Sequence, residues 1–553
     1  MTYDKLYSSK ETPQNEPIPG SSQIKNSAGG YSFEVSDWTR FDRFLILGSE
    51  VGTYYIGDRE LTKENVESVL KCIKANGREV IRRIVDVSES GRAPKNEPAL
   101  FALAACTASD DKEVRKMAWD VMPRVARTGT HLFQFVRFRK VFGGWGRLAR
   151  QGVSKWYTAK SPEQLAYQVM KYQQRDGVSH RDVLRLAHTS DVEKNSLRNL
   201  SAIFSAITHK DGGEVKNDRT KVGVNRMVNA PGVQSLIAEN RLPKIFEGVF
   251  KAREASEVND VVSVIREYGL TREMIPTQWL DSPEVFEALF DKMPMTAMVR
   301  NLGQMSKIGV LTPMSDISKE VVRRLTDVKA IEGARLHPLN LLVARKTYGQ
   351  GRGMKGSSQW TTVPQVVDAL EEAMRLSFDT VEPTNRNFVL GVDVSSSMEY
   401  NMTINGMVSA AEAATVMALV TAKNEPNYFI GGFATQFKNL GITAKDTFES
   451  ALRKTTKHNF GGTDCSVPIL HAMKHSIKAE VFMVLTDNET WAGRIHPSQA
   501  LKQYRRESGI NAKMVVVGMT SNKFSIADPD DAGMLDVVGM DMSVPSVVSG
   551  FVR

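Results

Sequence analysis

From about Tyr31 to residue 335, apolar residues recur at three- and four-residue spacing, in stretches broken by Gly, Pro, Asp or Ser, and this period predicts one helix after another. The expected helices run over Thr62 to Asn76, Pro98 to Thr107, Lys112 to Ala126, Ser161 to Asp176, Ser179 to His188, Pro231 to Ala238, Val258 to Tyr268, Ser282 to Asp291 and Met295 to Gly303. Stacked helix pairs of this length point to a HEAT-like α-solenoid, as an extended array or closed into a ring. Beyond residue 361 the pattern changes. Short apolar runs at about 388–393, 427–433, 480–486 and 512–518 alternate with helical patterns at about 363–376, 406–423, 466–475 and 498–506. That alternation predicts a parallel sheet covered on both faces. The first thirty or so residues are rich in Ser, Pro, Asn and Gly and read as a loosely held arm. The expected fold is multidomain: an N-terminal arm over 1–30, an α-helical HEAT-like repeat domain over 31–360, and an α/β doubly wound domain over 361–553.

The α/β part carries the clearest chemistry. Phe388-Val-Leu-Gly-Val-Asp393-Val-Ser395-Ser-Ser397-Met398 is an apolar strand ending in Asp-x-Ser-x-Ser. A carboxylate and two hydroxyls on alternate residues at a strand end can converge on one hard divalent cation, Mg²⁺ above all, which takes oxygen ligands. Gly461-Gly462-Thr463-Asp464 adds a third hydroxyl from a loop, and Val481-Phe-Met-Val-Leu-Thr486-Asp487 ends a second strand in a second carboxylate. Each hydroxyl alone would pass for a helix cap. The ordered set Asp393, Ser395, Ser397, Thr463 and Asp487 instead resembles the metal-dependent adhesion site of von Willebrand factor A-type domains. Two carboxylates and three hydroxyls leave such a cation under-neutralised, so an acidic protein ligand is a favourable extra partner. No general base stands out beside the set, which argues for binding over metal-dependent hydrolysis.

Charge adds a partner class. From residue 361 onward there are 17 Lys and Arg against 21 Asp and Glu, so the chain's net charge of +9 leaves +13 on the first 360 residues. A positive field on the helical part favours a polyanion, nucleic acid before membrane. No apolar stretch reaches the roughly 18 residues of a membrane span, and the start lacks a signal-peptide core. Cys72, Cys106 and Cys465 are too few and too scattered for a disulfide framework. A soluble, monomeric, cytoplasmic protein is expected.

The basic residues have a local pattern. Ser161-Pro162-Glu163-Gln164 is a capping box with Pro at the first helical position, and on the helix it starts Lys171 and Arg175 lie four apart. Ser179 and Asp182 start the next helix, with Arg185 and His188 on one face. Upstream, Arg137-Phe138-Arg139-Lys140 and Trp145-Gly-Arg147-Leu-Ala-Arg150 interleave cations with aromatics, as a single-stranded RNA surface requires. Gly349-Gln-Gly351-Arg352-Gly353-Met-Lys355-Gly356 fails as a phosphate loop because Ser357 follows Gly356. It reads as a flexible basic hinge, with Arg345, Lys346, Arg352 and Lys355 open to phosphates.

Lys171-Tyr-x-x-Arg175-x-Gly177-x-Ser179-His180-x-Asp182-x-Leu184-Arg185-Leu186-x-His188, His337-Pro338 with Tyr348-x-x-Gly351-x-Gly353, and Thr380-Val-Glu382-Pro383-Thr384 before the metal motif resemble the Ro ribonucleoprotein autoantigen family, whose helical part is the TROVE module. The resemblance implies a non-enzymatic protein: a helical ring closed by an A-type domain, binding small noncoding Y RNAs on its outer basic surface and single-stranded 3′ ends of misfolded noncoding RNAs in its central hole. It assigns Lys171, Arg175 and His188 to Y RNA and Asp393, Ser395, Ser397, Thr463 and Asp487 to the metal. The resemblance implies either of two roles, that of bacterial members, which partner an exoribonuclease through the Y RNA, or that of vertebrate ones, which act in RNA surveillance without a fixed nuclease. The competing expectation is a protein-interaction scaffold in which RNA is incidental. The extended N-terminal arm and the stretch at about 205–230, rich in Lys, Asn and Gly, carry no match to the family and are expected to adjust RNA choice or partners.

Overall fold

The computed structural model describes residues 11–48, 58–187, 198–208, 230–334, 336–353, 357–378, 382–404, 408–456, 461–520, 522–539 and 544–553. Its first part is a run of helices where the apolar period places them. Glu97–Cys106, Lys112–Val125, Pro231–Ala238, Val258–Tyr268, Pro283–Asp291 and Met295–Lys307 fall within a few residues of expectation. The first long helix, Asp58–Ser90, continues past the expected end, leaving helical geometry only at Asn76 (φ −160°, ψ 84°). Caps fix the starts: the Asp111 carboxylate accepts from the N–H groups of Glu113 and Val114, and the Ser161–Gln164 capping box is formed in both directions. Packing passes from neighbour to neighbour along the array. Its two ends then meet: a His337 ring nitrogen lies 3.0 Å from the Arg92 carbonyl, and Asn340 Nδ2 donates to the Pro94 carbonyl at 3.1 Å. The array therefore closes on itself, as a ring does.

Strands within this part are few but informative. β1 (Gln23–Lys25) and β2 (Tyr31–Glu34) precede the helices, and β3 (Gln174–Arg175) and β4 (Val178–Ser179) form a small hairpin among them. The hairpin corrects the expected helix over Ser161 to Asp176, which stops at Lys171. Asp176 and Gly177 both take left-handed φ, 50° and 76°. An Asp-Gly pair in that conformation makes a tight two-residue turn, and this local signal overrides the helical period.

The α/β part holds β5 (Phe388–Asp393), the short hairpin β6 (Met402–Ile404) and β7 (Val408–Ser409), β8 (Tyr428–Phe433), β9 (Phe437–Asn439), β10 (Val481–Thr486), β11 (Lys513–Gly518), β12 (Phe524–Ser525) and β13 (Met534–Val538). The main sheet has the order β13-β11-β10-β5-β8-β9, parallel except for the edge strand β9. Every residue of β5 and β10 is buried, as central strands covered on both faces must be. Ser409 and Glu412 form the capping box of the buried helix Ala410–Asn424 against this sheet.

Two expectations about the connections are overturned. From residue 11 onward the arm is not loose. β1 and β2 pair antiparallel, and β2 pairs with β12 of the α/β domain. Residues 1–10 lie outside the described residues. Nor is the Gly-rich segment near 350 a free basic hinge. Arg345 is buried between Glu371 (3.1 Å) and Glu449 (2.7 Å), and Lys346 pairs with Glu412 at 2.6 Å. Trp360 stacks on Tyr348 and donates to its carbonyl, while Arg352 bridges to Gln359. Lys355 lies outside the described residues. Arg345 and Lys346 face carboxylates because they are where the helical array is bolted to the α/β domain.

The other bolt is Arg43, on the helix Asp37–Leu47. Its guanidinium is wholly buried, pairs with Asp536 at 2.7 Å and donates to the carbonyls of Asn522 and Phe524. Truncating one member of such a pair leaves the other charge buried and alone. Arg43→Met should therefore lower stability by about 3–5 kcal/mol in urea unfolding. Adding Asp536→Leu should recover part of the loss, because it removes the stranded carboxylate.

Candidate metal centre and basic helical surface

β5 and β10 are neighbours in register, so their C-terminal ends deliver Asp393 and Asp487 side by side. Both carboxylates are completely buried. The Ser395 N–H donates to Asp393 Oδ1 at 3.0 Å, and the Thr486 hydroxyl donates to Oδ2 at 2.7 Å. The hydroxyls of Ser395 and Ser397 lie 3.0 Å apart, and the Ser397 hydroxyl also bonds Asp487. Asn401 Nδ2 holds Asp487 Oδ2 at 2.8 Å. Thr463 is buried, and its carbonyl accepts from the N–H groups of Trp491 and Ala492, which fastens its loop to the chain just after Asp487.

The electrostatics of this arrangement are those of a site lacking positive charge. Burial, then repulsion from Asp487, pushes the Asp393 carboxyl well above the usual range, and burial raises Asp487 too. The partners named above are hydroxyls, amides and backbone N–H groups, not cations. A divalent cation would reverse both shifts by supplying the missing charge. Asp393, Ser395, Ser397 and Asp487, which these bonds bring together, would suit a hard cation, with Thr463 buried in the loop fastened beside them. Thr486 and Asn401 orient the two carboxylates without belonging to the expected ligand set. Thr486 sits inside the motif itself, but nothing in the spacing marks Asn401.

The basic surface is only partly as expected. Lys171 ends its helix, its Nζ donating to the Tyr167 hydroxyl at 3.0 Å. Arg175 sits on β3, so the two cations share a helix–hairpin junction and not a helix face. Arg175 and Arg185 are exposed, as is Lys140, while His188 lies outside the described residues. Arg137 is tied to Glu97 (3.3 Å) and Asp176 (3.2 Å), which docks the hairpin onto the helix Gly129–Phe142. Arg139 is a correction: it is buried and folds back over the end of its helix, Nη2 donating to the Gly144 carbonyl at 3.1 Å. Arg137 and Arg139, two apart on a helix, cannot face the same way. The interleaved aromatics also turn inward, Phe138 packing edge-on against Phe101 at 5.5 Å and Trp145 against the core.

Residues 24–347 match the family model of the TROVE domain. The chain belongs to the Ro family. Residues 387–552 match the model of the Ro60 vWA domain, so Asp393 and Asp487 lie in the Ro A-type domain. A relative from Deinococcus radiodurans, named RNA-binding protein RO60, is 40% identical over 548 residues, spanning 98% of this chain and 97% of that protein. One of the same name from Caenorhabditis elegans is 35% identical over 598 residues, spanning 98% and 92%. The crystal structure of the D. radiodurans RO (RSR) protein superposes with a TM-score of 0.66 at 40% identity, covering 94% of this chain and 99% of that one. Among the described residues no helix is long and apolar enough to cross a membrane.

The hairpin of this Ro chain is rooted by His180, which follows β4 directly. The ring is buried beside Phe133 and Trp156, with Nδ1 3.0 Å from the Tyr157 hydroxyl. Burial pushes its pKa down to about 3 from an ordinary 6.5. The unfolded chain takes up a proton below about pH 6.5 and the folded one does not, so the stability tied to neutral His180 is complete above that pH and lost as pH falls. Between about pH 6 and pH 4, wild-type stability should fall more steeply than that of His180→Phe, by up to about 1.4 kcal/mol per pH unit. Parallel urea titrations at stepped pH would measure the difference.

Proposed function

We propose that this chain is a non-enzymatic RNA-binding protein. It would hold small noncoding Y-like RNA at the junction of the Pro162–Lys171 helix, the β3–β4 hairpin and the His180–Ala187 helix, and admit single-stranded 3′ ends of misfolded RNA to the ring. The observation that carries this reading is the succession of basic residues along these elements, half-buried Lys171 and exposed Arg175 and Arg185, with Arg175 near Asp176 at 3.6 Å, on the part of the chain that bears the positive excess. Phosphates are the natural counter-charge for such a cluster. Relatives named RNA-binding proteins over nearly the full length support it. In quality control the protein would act as an adaptor, the bound RNA tethering an exoribonuclease. The A-type domain would hold Mg²⁺ through Asp393, Ser395, Ser397, Thr463 and Asp487 and take a carboxylate from an acidic protein partner.

The two sites are separable. Lys171→Ala with Arg175→Ala should weaken binding of a small structured noncoding RNA and reduce the slope of log affinity against log salt by about two, measured by filter binding between about 50 and 200 mM salt. An unchanged slope would move the RNA surface elsewhere. Asp393→Ala in the same assay should leave RNA affinity intact while abolishing Mg²⁺ uptake.

A further inference from the structure

The chain from Thr12 to Ser32 is built into the metal centre. Gln14 is wholly buried, 450 residues away in sequence from the loop it grips. Its Nε2 donates to Asp464 Oδ1 at 2.7 Å and to the Ile495 carbonyl at 2.8 Å. Its Oε1 accepts from the Gly493 N–H at 3.3 Å and from the Thr490 hydroxyl. Its backbone N–H donates to the Gly493 carbonyl at 2.9 Å. One amide thus spans the loop that carries Thr463 and the loop that follows Asp487.

The rest of the segment holds the second loop residue by residue. Asn26 Nδ2 donates to the Thr490 carbonyl at 2.7 Å, and the Ala28 N–H donates to Glu489 Oε2 at 3.0 Å. Two glycines mark how close the chains run. A Cβ on Gly30 would sit 2.0 Å from the Thr490 carbonyl oxygen, and one on Gly493 would sit 2.2 Å from Gln14 Nε2. The fit needs bare backbone on both sides. The two loops are already joined by the Thr463 carbonyl, which accepts from the Trp491 and Ala492 N–H groups, and by the Cys465 N–H, which donates to the Thr490 hydroxyl. Gln14 grips both loops from the other side of that seam, at Asp464 and at Thr490, Gly493 and Ile495.

We propose that this strap is a third loop of the metal centre and that Gln14 is its positioning residue, setting the distance between the Thr463 and Asp487 donors and hence the affinity for Mg²⁺. The inference rests on the metal reading above. Ligands held in place by hydrogen-bonded neighbours bind a cation without first being ordered, and losing such a neighbour typically costs about 10- to 100-fold in metal affinity. Removing the Gln14 amide strips the Ile495 carbonyl and the Gly493 N–H of this partner and leaves the loops joined only along the Thr463 and Cys465 seam, free to shift about it.

Calorimetric titration of the full chain with MgCl₂ tests this. Gln14→Met keeps the side-chain volume and should weaken Mg²⁺ about 10- to 100-fold, with wild-type far-UV circular dichroism and a lowered but still cooperative thermal unfolding in EDTA, since buried partners are left unpaired. Thr12→Ala, which loses only a contact of the strap's outer end to Gln499, should bind Mg²⁺ as wild type does. Wild-type affinity in Gln14→Met, or an equal loss in Thr12→Ala, would overturn the proposal. Should Gln14→Met fail to fold, Asn26→Ala carries the same test with a several-fold loss expected, and unchanged affinity there would overturn it equally. A wild-type chain that binds no better than Asp393→Ala would sink the metal reading itself, a result distinct from any of these.

Discussion

Everything at the top of the α/β sheet depends on two buried carboxylates placed side by side. Strand pairing puts Asp393 and Asp487 at the ends of adjacent parallel strands, where neither has solvent to relieve its charge. Like charges in such a place favour protonation or a cation, and the hydroxyls of Thr486 and Ser397 donate to the two carboxylates, offsetting part of that repulsion. The surrounding loops follow from that requirement. Asn401 holds one carboxylate from the Ser396–Tyr400 side, and the Thr463 carbonyl grips the backbone beyond the other.

The helical array is positioned by the same logic of paired charge. Arg43 at its start and Arg345 with Lys346 near its end each meet carboxylates of the α/β domain or its neighbouring helices. Contacts of His337 and Asn340 with the chain near Arg92 close the array directly. The α/β domain therefore sits across the seam of the helical part, held from both sides, and is not a bead on a linker.

Much of this was legible in the sequence, and the exceptions have physical causes. The strand ends bearing Asp393 and Asp487 were readable because parallel strands buried on both faces are apolar throughout, so the polar residues that end them stand out. Most helix limits followed from periodicity and caps. The Ser161 helix was read too long because its apolar spacing runs on into a hairpin that only the Asp176-Gly177 turn betrays. Arg139, Arg345 and Lys346 were read as open to phosphates because sequence shows charge but not the carboxylate or helix end that will claim it. The arm was misread for a related reason. Its Ser, Asn and Gly residues look like disordered chain, yet Gln14, Asn26 and Gly30 are polar or small because they must fit against loop backbone, and that backbone lies more than 450 positions away.

That distance has a consequence for how the molecule is made. β2 finds β12 only after nearly the whole chain exists, since their paired residues are about 490 positions apart. During synthesis, the helices can assemble while β1 and β2 wait as an unpaired ribbon with an open edge and Arg43 has no acid to meet. A nascent or truncated chain lacking β12 would expose that edge to other chains, so β12 acts as the cover for β2, and its arrival is also the step that closes that edge.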